Sequence, residues 1–227
     1  MLRPGLPALP VGGAVTTAAE MAAVEQELSG RDPVLAHLVE VAGPCTIRSS
    51  RRKGRLDHFE ELARSIVYQQ LAGRAAAAIW TRVRALVDGP FTPEAVLAID
   101  EPTLRSAGLS GAKARSIADL ALKVADGQVA LARVGRLADD LVVAELVQVK
   151  GIGPWTAQMF LMFQLGRLDV WPTGDFGVRK GYGVAWGLPE PPTPVELEAL
   201  GERFRPYRSV VAWYCWRAVE TVTPEGF

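Results

Sequence analysis

Apolar positions recur at three- and four-residue spacing along most of the chain. In "DHFEELARSIVYQQLAG", "AAAAIWTRVRALVDG", "AKARSIADLALKVADG" and "LADDLVVAELVQVKG" the pattern is that of amphipathic helices, and each run stops at a glycine. Few segments alternate with the two-residue period of a strand. Helix starts are marked as well. Asp32-Pro33, Thr92-Pro93-Glu94 and Thr193-Pro194-Val195-Glu196 each place a capping side chain before a proline suited to the first helical position. The pattern predicts an all-α protein of about ten or more short helices joined by tight turns. No long linker divides it and no fixed-period repeat is present, although "GLSGAKARSIADLA" and "VKGIGPWTAQMF" share a turn-then-helix layout.

The length, 227 residues, suits one compact unit or two small lobes. With 49% hydrophobic and 22% charged residues, the composition is that of a soluble globular protein, and no apolar run reaches bilayer-spanning length. The start, "MLRPGLPALPVGGAVTTAAEM", is rich in Pro, Gly and Ala and lacks the continuous apolar segment of a secretory signal. It reads as a mostly flexible arm of a cytoplasmic protein. Cys45 and Cys215 are too few for a disulfide framework, an iron–sulfur cluster or an all-cysteine zinc site, and are expected to be small buried apolar groups. The 25 basic and 25 acidic residues cancel, which taken alone argues against a nucleic-acid partner. The basic residues nevertheless cluster in "RSSRRKGR" and "RFRPYR", each either a solvated loop or a local basic face.

The stretch "LVQVKGIGPWTAQMF" predicts a helix ending near Lys150, a tight hairpin, and a second helix opening at Pro154, with Gly151 and Gly153 free to take positive φ. A hairpin bare of side chains at 151 and 153 lets backbone N–H groups approach an oxyanion such as a DNA phosphate. The alternative is a plain helix corner whose glycines serve packing. Downstream, in "GRLDVWPTGDFGVRKGYG", Asp175 stands at a helix start and could serve as a cap alone.

The hairpin, the Gly/Pro-rich loop and the aspartate, spanning 141–183, together resemble the helix-hairpin-helix-GPD superfamily of DNA base-excision glycosylases. "FEELARSIVYQQLAGRAAAAIWTRV" is similar to that family's early helix pair, "AGLSGAKARSIADLA" to its middle turn, and "FRPYRSVVAWYCW" to the closing helix of its alkylated-base branch, so the resemblance spans about 32–217. Within the family it looks most like the bacterial DNA-3-methyladenine glycosylase II group, in a short form without the N-terminal β domain. The implied architecture is two helical lobes with a cleft between them: an arm over 1–20, one lobe from 21–57 and 166–227, and a central bundle over 58–165 that carries the helix-hairpin-helix at 141–165.

The resemblance also implies chemistry. Members that cut the backbone carry a Schiff-base lysine where this chain has Trp155, which implies a monofunctional enzyme without a lyase step. Branches with an iron–sulfur cluster need four cysteines, and the tail holds only Cys215. The implied activity is flipping and hydrolytic excision of alkylated purines such as 3-methyladenine and 7-methylguanine from double-stranded DNA, by a monomer. Asp175 would be the catalytic carboxylate, either stabilising the sugar cation directly or activating water. Trp155 and Trp216, with Met159 and Phe176, would form the base pocket. Met159 stands where some relatives have tyrosine. Trp171, Trp186 and Trp213 are expected in the core, with Phe59 and Tyr68 as weaker cleft candidates. Gln70, with Leu71 next, would be the wedge that fills the vacated stack, and Gln69 is either a buried amide tying helix ends or a DNA contact. Phosphate would meet the amides of Gly151 and Gly153, with Lys150, Lys113 and Arg208 in support, while Arg179 would be an ion-pair partner inside its helix. A sodium or potassium ion on the carbonyls of Val147, Val149 and Ile152 is implied by the family alone. Rival readings are a glycosylase for deaminated or oxidised bases and a non-catalytic DNA-binding module in which Asp175 is only a cap.

Overall fold

A computed structural model describes residues 17–47 and 57–221. The chain runs through α1 (Ala18–Arg31), α2 (Pro33–Ala42), α3 (His58–Tyr68), α4 (Gly73–Arg84), α5 (Pro93–Leu97) and α6 (Glu101–Ser106). It continues through α7 (Gly111–Ala125), α8 (Asp139–Leu146), α9 (Pro154–Met159), α10 (Phe176–Trp186), α11 (Pro194–Gly201) and α12 (Arg208–Thr221). Among the described residues there is no β-strand, and the fold is all-α. No described helix is long and apolar enough to cross a membrane.

The predicted caps form. Asp32 accepts the Val34 N–H, Thr92 that of Ala95, and Thr193 closes a capping box with Glu196. Two boundaries differ from expectation. The arm expected through residue 20 gives way to helix at Ala18, because Thr17 and Glu20 form a capping box; residues 1–16 of that arm lie outside the described residues, as does the whole of "RSSRRKGR". The helix expected to end near Lys150 ends at Leu146, and turns carry the chain from there to Pro154.

The chain divides into two compact units, Met1–Arg52 with Leu161–Phe227, and Lys53–Phe160. The second division falls five residues before the position expected from the sequence, where α9 passes directly into a π turn (Phe160–Gln164). In the Lys53–Phe160 unit α3 packs on α4 and α7, and α7 also packs on α5 and α6. Leu62, Ile66, Ile117, Leu120 and Leu146 are fully buried there. Phe59 is core too, stacked on Phe91 with ring centroids 5.7 Å apart.

In the other unit α12 packs on α10 and α2. A methyl group at Gly181 of α10 would lie 1.8 Å from the Cys215 carbonyl oxygen of α12, so the two backbones touch directly. Cys45 and Cys215 are buried, and burial pushes the Cys215 thiol up. Glu25 is buried among apolar groups and stays satisfied by the Cys45 N–H at 2.5 Å and the Tyr214 hydroxyl at 2.7 Å. Trp171 and Trp213 are core residues, the former donating its indole N–H to the Leu197 carbonyl at 2.8 Å, and Trp186 stacks on Tyr182 at 4.2 Å. "RFRPYR" is not a basic face. Arg203 pairs with Asp32 at 3.0 Å, Arg205 with Glu202 at 2.9 Å, and Arg208 with Asp169 at 2.8 Å.

The crossing at Gly181 sets a direct test. Overpacking a core contact costs about 1–3 kcal/mol where the structure can relax, and a backbone-to-backbone contact relaxes poorly. Gly181→Ala is expected to lose about 3 kcal/mol in urea unfolding, and a loss below about 0.5 kcal/mol would show that the helices separate freely there.

Candidate active site

The hairpin begins where α8 stops, and its shape is imposed from α7. Gly151 takes φ +79°, whereas Gly153 has φ −95° and is the N-cap of α9, so only the first glycine uses left-handed backbone. A methyl group at 151 would also lie 2.5 Å from Ser116 Oγ. Asp119 Oδ2 accepts the Lys150 N–H at 2.8 Å and the Lys123 ammonium at 2.8 Å, and Lys123 donates again to the Gln148 carbonyl at 2.6 Å. Gln69 Nε2 donates to the Gly151 carbonyl at 2.8 Å and to Thr156 Oγ1 at 3.3 Å. Burial alone would raise the Asp119 carboxyl. The hydrogen bonds from Lys123 and the Lys150 amide outweigh it and hold the group below the usual carboxylate range.

Held this way, Lys150, Gly151, Gly153 and Trp155 are exposed, Trp155 at 49%, while Thr156 and Ala157 face the core. Met159 is half-buried. The Val149 carbonyl accepts the Ile152 N–H at 3.1 Å, which leaves it a second lone pair.

The turn after α3 lies in the same unit. Gln70, at φ +55°, is the one non-glycine with positive φ among the described residues, and it and Leu71 are exposed. Lys113 does not extend toward phosphate as expected. Its ammonium donates to the carbonyls of Val67 at 2.8 Å and Gln69 at 2.7 Å, satisfying the C-terminal end of α3, and desolvation lowers its pKa. Tyr68 is half-buried under the Arg64 guanidinium, 4.4 Å from its ring centre.

In the other unit Asp175 caps α10. Its Oδ1 accepts the Val178 N–H at 2.8 Å and the Trp216 indole N–H at 3.0 Å. Gly177 makes this pairing feasible, since a methyl group there would meet Trp216 Cδ1 at 2.9 Å and Asp175 Oδ1 at 3.0 Å. Trp216 stacks on Phe163 at 5.9 Å and helps line a cavity of about 510 Å³ with Thr46, Phe163, Gly177, Trp213 and Arg217. Phe176 is 60% exposed, with the Arg179 guanidinium 5.4 Å from its ring centre. Arg179, expected in an ion pair, instead donates to the Pro192 carbonyl at 3.3 Å. Arg208 is withdrawn as a phosphate contact. It is buried and held by Asp169 and Glu198, so its charge is spent within the fold.

Ser116, Asp119 and Lys123 were not among the expected site residues, although their spacing of three and four residues on amphipathic α7 is a readable polar stripe. Phe163 and Gly177 carried no comparable signal.

The family model for HhH-GPD superfamily base excision DNA repair proteins matches residues 63–206. The chain belongs to this superfamily. Among its HhH-GPD relatives, DNA-3-methyladenine glycosylase 1 of Schizosaccharomyces pombe is 35% identical over 196 residues, 85% of each chain. A crystal structure of a DNA-3-methyladenine glycosidase from Bacillus halodurans superposes with a TM-score of 0.77 at 33% identity, covering 89% of this chain and 91% of that one. The S. pombe 3-methyladenine DNA glycosylase in complex with abasic DNA superposes with a TM-score of 0.73 at 32% identity, covering 86% and 95%. The HhH-GPD match includes the hairpin, its α7 support and Asp175, and ends before Trp216.

The Asp119 support is measurable. Because the folded-state pKa is depressed, its stabilisation is present above the unfolded value of 3.8 and is lost as pH falls through the lower folded value. Asp119→Asn is expected to cost about 1 kcal/mol in urea unfolding at neutral pH. That gap should close as pH drops below 3.8, and a gap independent of pH would show that the charge on Asp119 plays no part.

Proposed function

We propose that this chain is a monofunctional DNA N-glycosylase that flips out and hydrolytically excises alkylated purines of the 3-methyladenine and 7-methylguanine type in base excision repair. The observation that carries the reading is the Asp175–Trp216 pair, an acid oriented by an indole that lines a cavity with Phe163 and Trp213. Alkylation at N3 or N7 makes the base cationic, so the glycosidic bond breaks with the electron pair leaving on the base, which becomes neutral without a proton donor. Water adds to the sugar carbon and loses its proton, giving an abasic site. Asp175 supplies negative charge to the oxocarbenium-like sugar or takes the water's proton. Hydrogen bonds from the Val178 amide and the Trp216 indole fix the carboxylate before substrate arrives, so little reorganisation is needed at the transition state.

The electron-rich face of Trp216 favours a cationic ring by about 0.5–2 kcal/mol, and Phe176 of the same unit adds apolar contact. Trp155 has no amine, so no Schiff base forms at that position and the strand stays intact. The amides of Gly151 and Gly153, with Lys150, grip a phosphate, and Gln70 or Leu71 fills the vacated stack. Neutral carbonyl oxygens suit a hard monovalent cation, and those of Val147, Val149 and Ile152 would hold sodium or potassium, placing positive charge toward that phosphate. The chemistry draws on no redox cofactor. The enzyme acts as a monomer on double-stranded DNA in the cytoplasm.

The test uses duplexes with single 3-methyladenine, 7-methylguanine, hypoxanthine or uracil sites. Strand breaks that need alkali, confined to the alkylated bases, are expected. Breaks without alkali, or a borohydride-trapped adduct, would end the monofunctional reading, and release of hypoxanthine or uracil alone would move the substrate class. Asp175→Asn keeps both acceptor roles at Oδ1, so it should fold and bind lesion DNA while excision falls by about 10²–10³. Retained turnover would remove Asp175 from the chemistry.

A further inference from the structure

We infer that Gln69 is a positioning residue that ties the exposed turn after α3 to the phosphate-facing hairpin, so that wedge insertion is registered to the backbone grip. The roles of wedge and grip rest on the glycosylase reading above; the linkage itself is geometric.

Gln69 is the C-cap of α3, and its two polar ends are held from different directions. Its backbone carbonyl accepts the Lys113 ammonium at 2.7 Å, and its side-chain amide donates to the Gly151 carbonyl at 2.8 Å and Thr156 Oγ1 at 3.3 Å. Gly151 is 82 positions away in sequence, so this one side chain joins two otherwise separate turns. The next residue, Gln70, takes a left-handed conformation that a non-glycine keeps only where its surroundings over-determine it. The local backbone contributes one long bond, Leu71 N–H to the Tyr68 carbonyl at 3.4 Å. The strained tip is therefore held mainly through Gln69. The hairpin, by contrast, has independent support from Asp119 and Lys123. Loss of the Gln69 amide should loosen the tip and leave the grip intact.

Gln69→Glu isolates this role, because the carboxylate keeps the size of the side chain and places an acceptor against the Gly151 carbonyl in place of a donor. Gln69→Ala removes the contact without repulsion. The probe is a duplex carrying 2-aminopurine beside a tetrahydrofuran abasic analogue, whose stacking-sensitive fluorescence changes when a protein side chain enters the vacated position. Both variants are expected to insert about tenfold more slowly, in line with loss of one hydrogen bond and a stranded partner. Affinity for undamaged duplex should change less than about twofold, since the hairpin amides remain. When the alkylated base has no partner base to unpair from, excision by Gln69→Glu should return to within about twofold of the parent.

Equal losses on paired and unpaired lesions, a parallel fall in undamaged-duplex affinity, or unchanged insertion would each overturn the proposal. Urea unfolding accompanies the assays, and an effect that tracks lost stability across all of them assigns Gln69 to the fold alone. The insertion signal needs no chemistry. A parent protein that inserts but releases no base would leave the Gln69 linkage standing and end the catalytic reading, and a parent that does not insert would end the linkage.

Discussion

A backbone turn that must present its amides outward cannot satisfy itself inward, and the bonds from α7 to the hairpin resolve that conflict. Asp119 accepts the Lys150 N–H, Lys123 donates to the Gln148 carbonyl, and Ser116 occupies the space that a side chain at 151 would need. Charge-assisted bonds are shorter and stronger than neutral ones, and the Asp119–Lys123 pair supplies them where water could otherwise compete. With the inner groups of the turn satisfied from below, Lys150, Gly151 and Gly153 stay exposed, and Trp155 starts the next helix from a fixed origin.

The second unit applies the same logic to an acid. An N-cap aspartate is a common stabilising device, and Asp175 performs it through Oδ1. The indole of Trp216 binds the same oxygen, so the cap bond and the aromatic wall of the cavity share one atom. Capping therefore does not compete with the role proposed for Asp175 in the chemistry. The geometry that ends one helix cleanly also aims the carboxylate, and Gly177 and Gly181 let α12 come close enough for the contact.

Much of this was legible in the chain itself. Caps at Asp32, Thr92 and Thr193 are local signals, since the capping side chain and the amide it binds lie two or three residues apart, and they formed as read. The turn at Gly151 and the cap at Asp175 are local in the same way, whereas Gly153, expected to be free for positive φ, takes φ −95° as the N-cap of α9. The partners of Arg208 and Lys113 are not legible because a basic side chain looks alike in sequence whether it meets solvent, a carboxylate 39 residues upstream or carbonyls 44 and 46 residues upstream. The end of α8 at Leu146 was missed because Val147 and Val149 continue the apolar spacing through the turn, where burial of Val149 reflects tertiary packing and not helix.

The paired arginines have a consequence for how undamaged DNA is met. With Arg203, Arg205 and Arg208 engaged by carboxylates in a chain of zero formal net charge, those residues displace few counterions from a duplex. Any charge-based grip on a duplex would then fall to other basic groups, and in the glycosylase reading selectivity would rest less on holding the polymer than on the site itself.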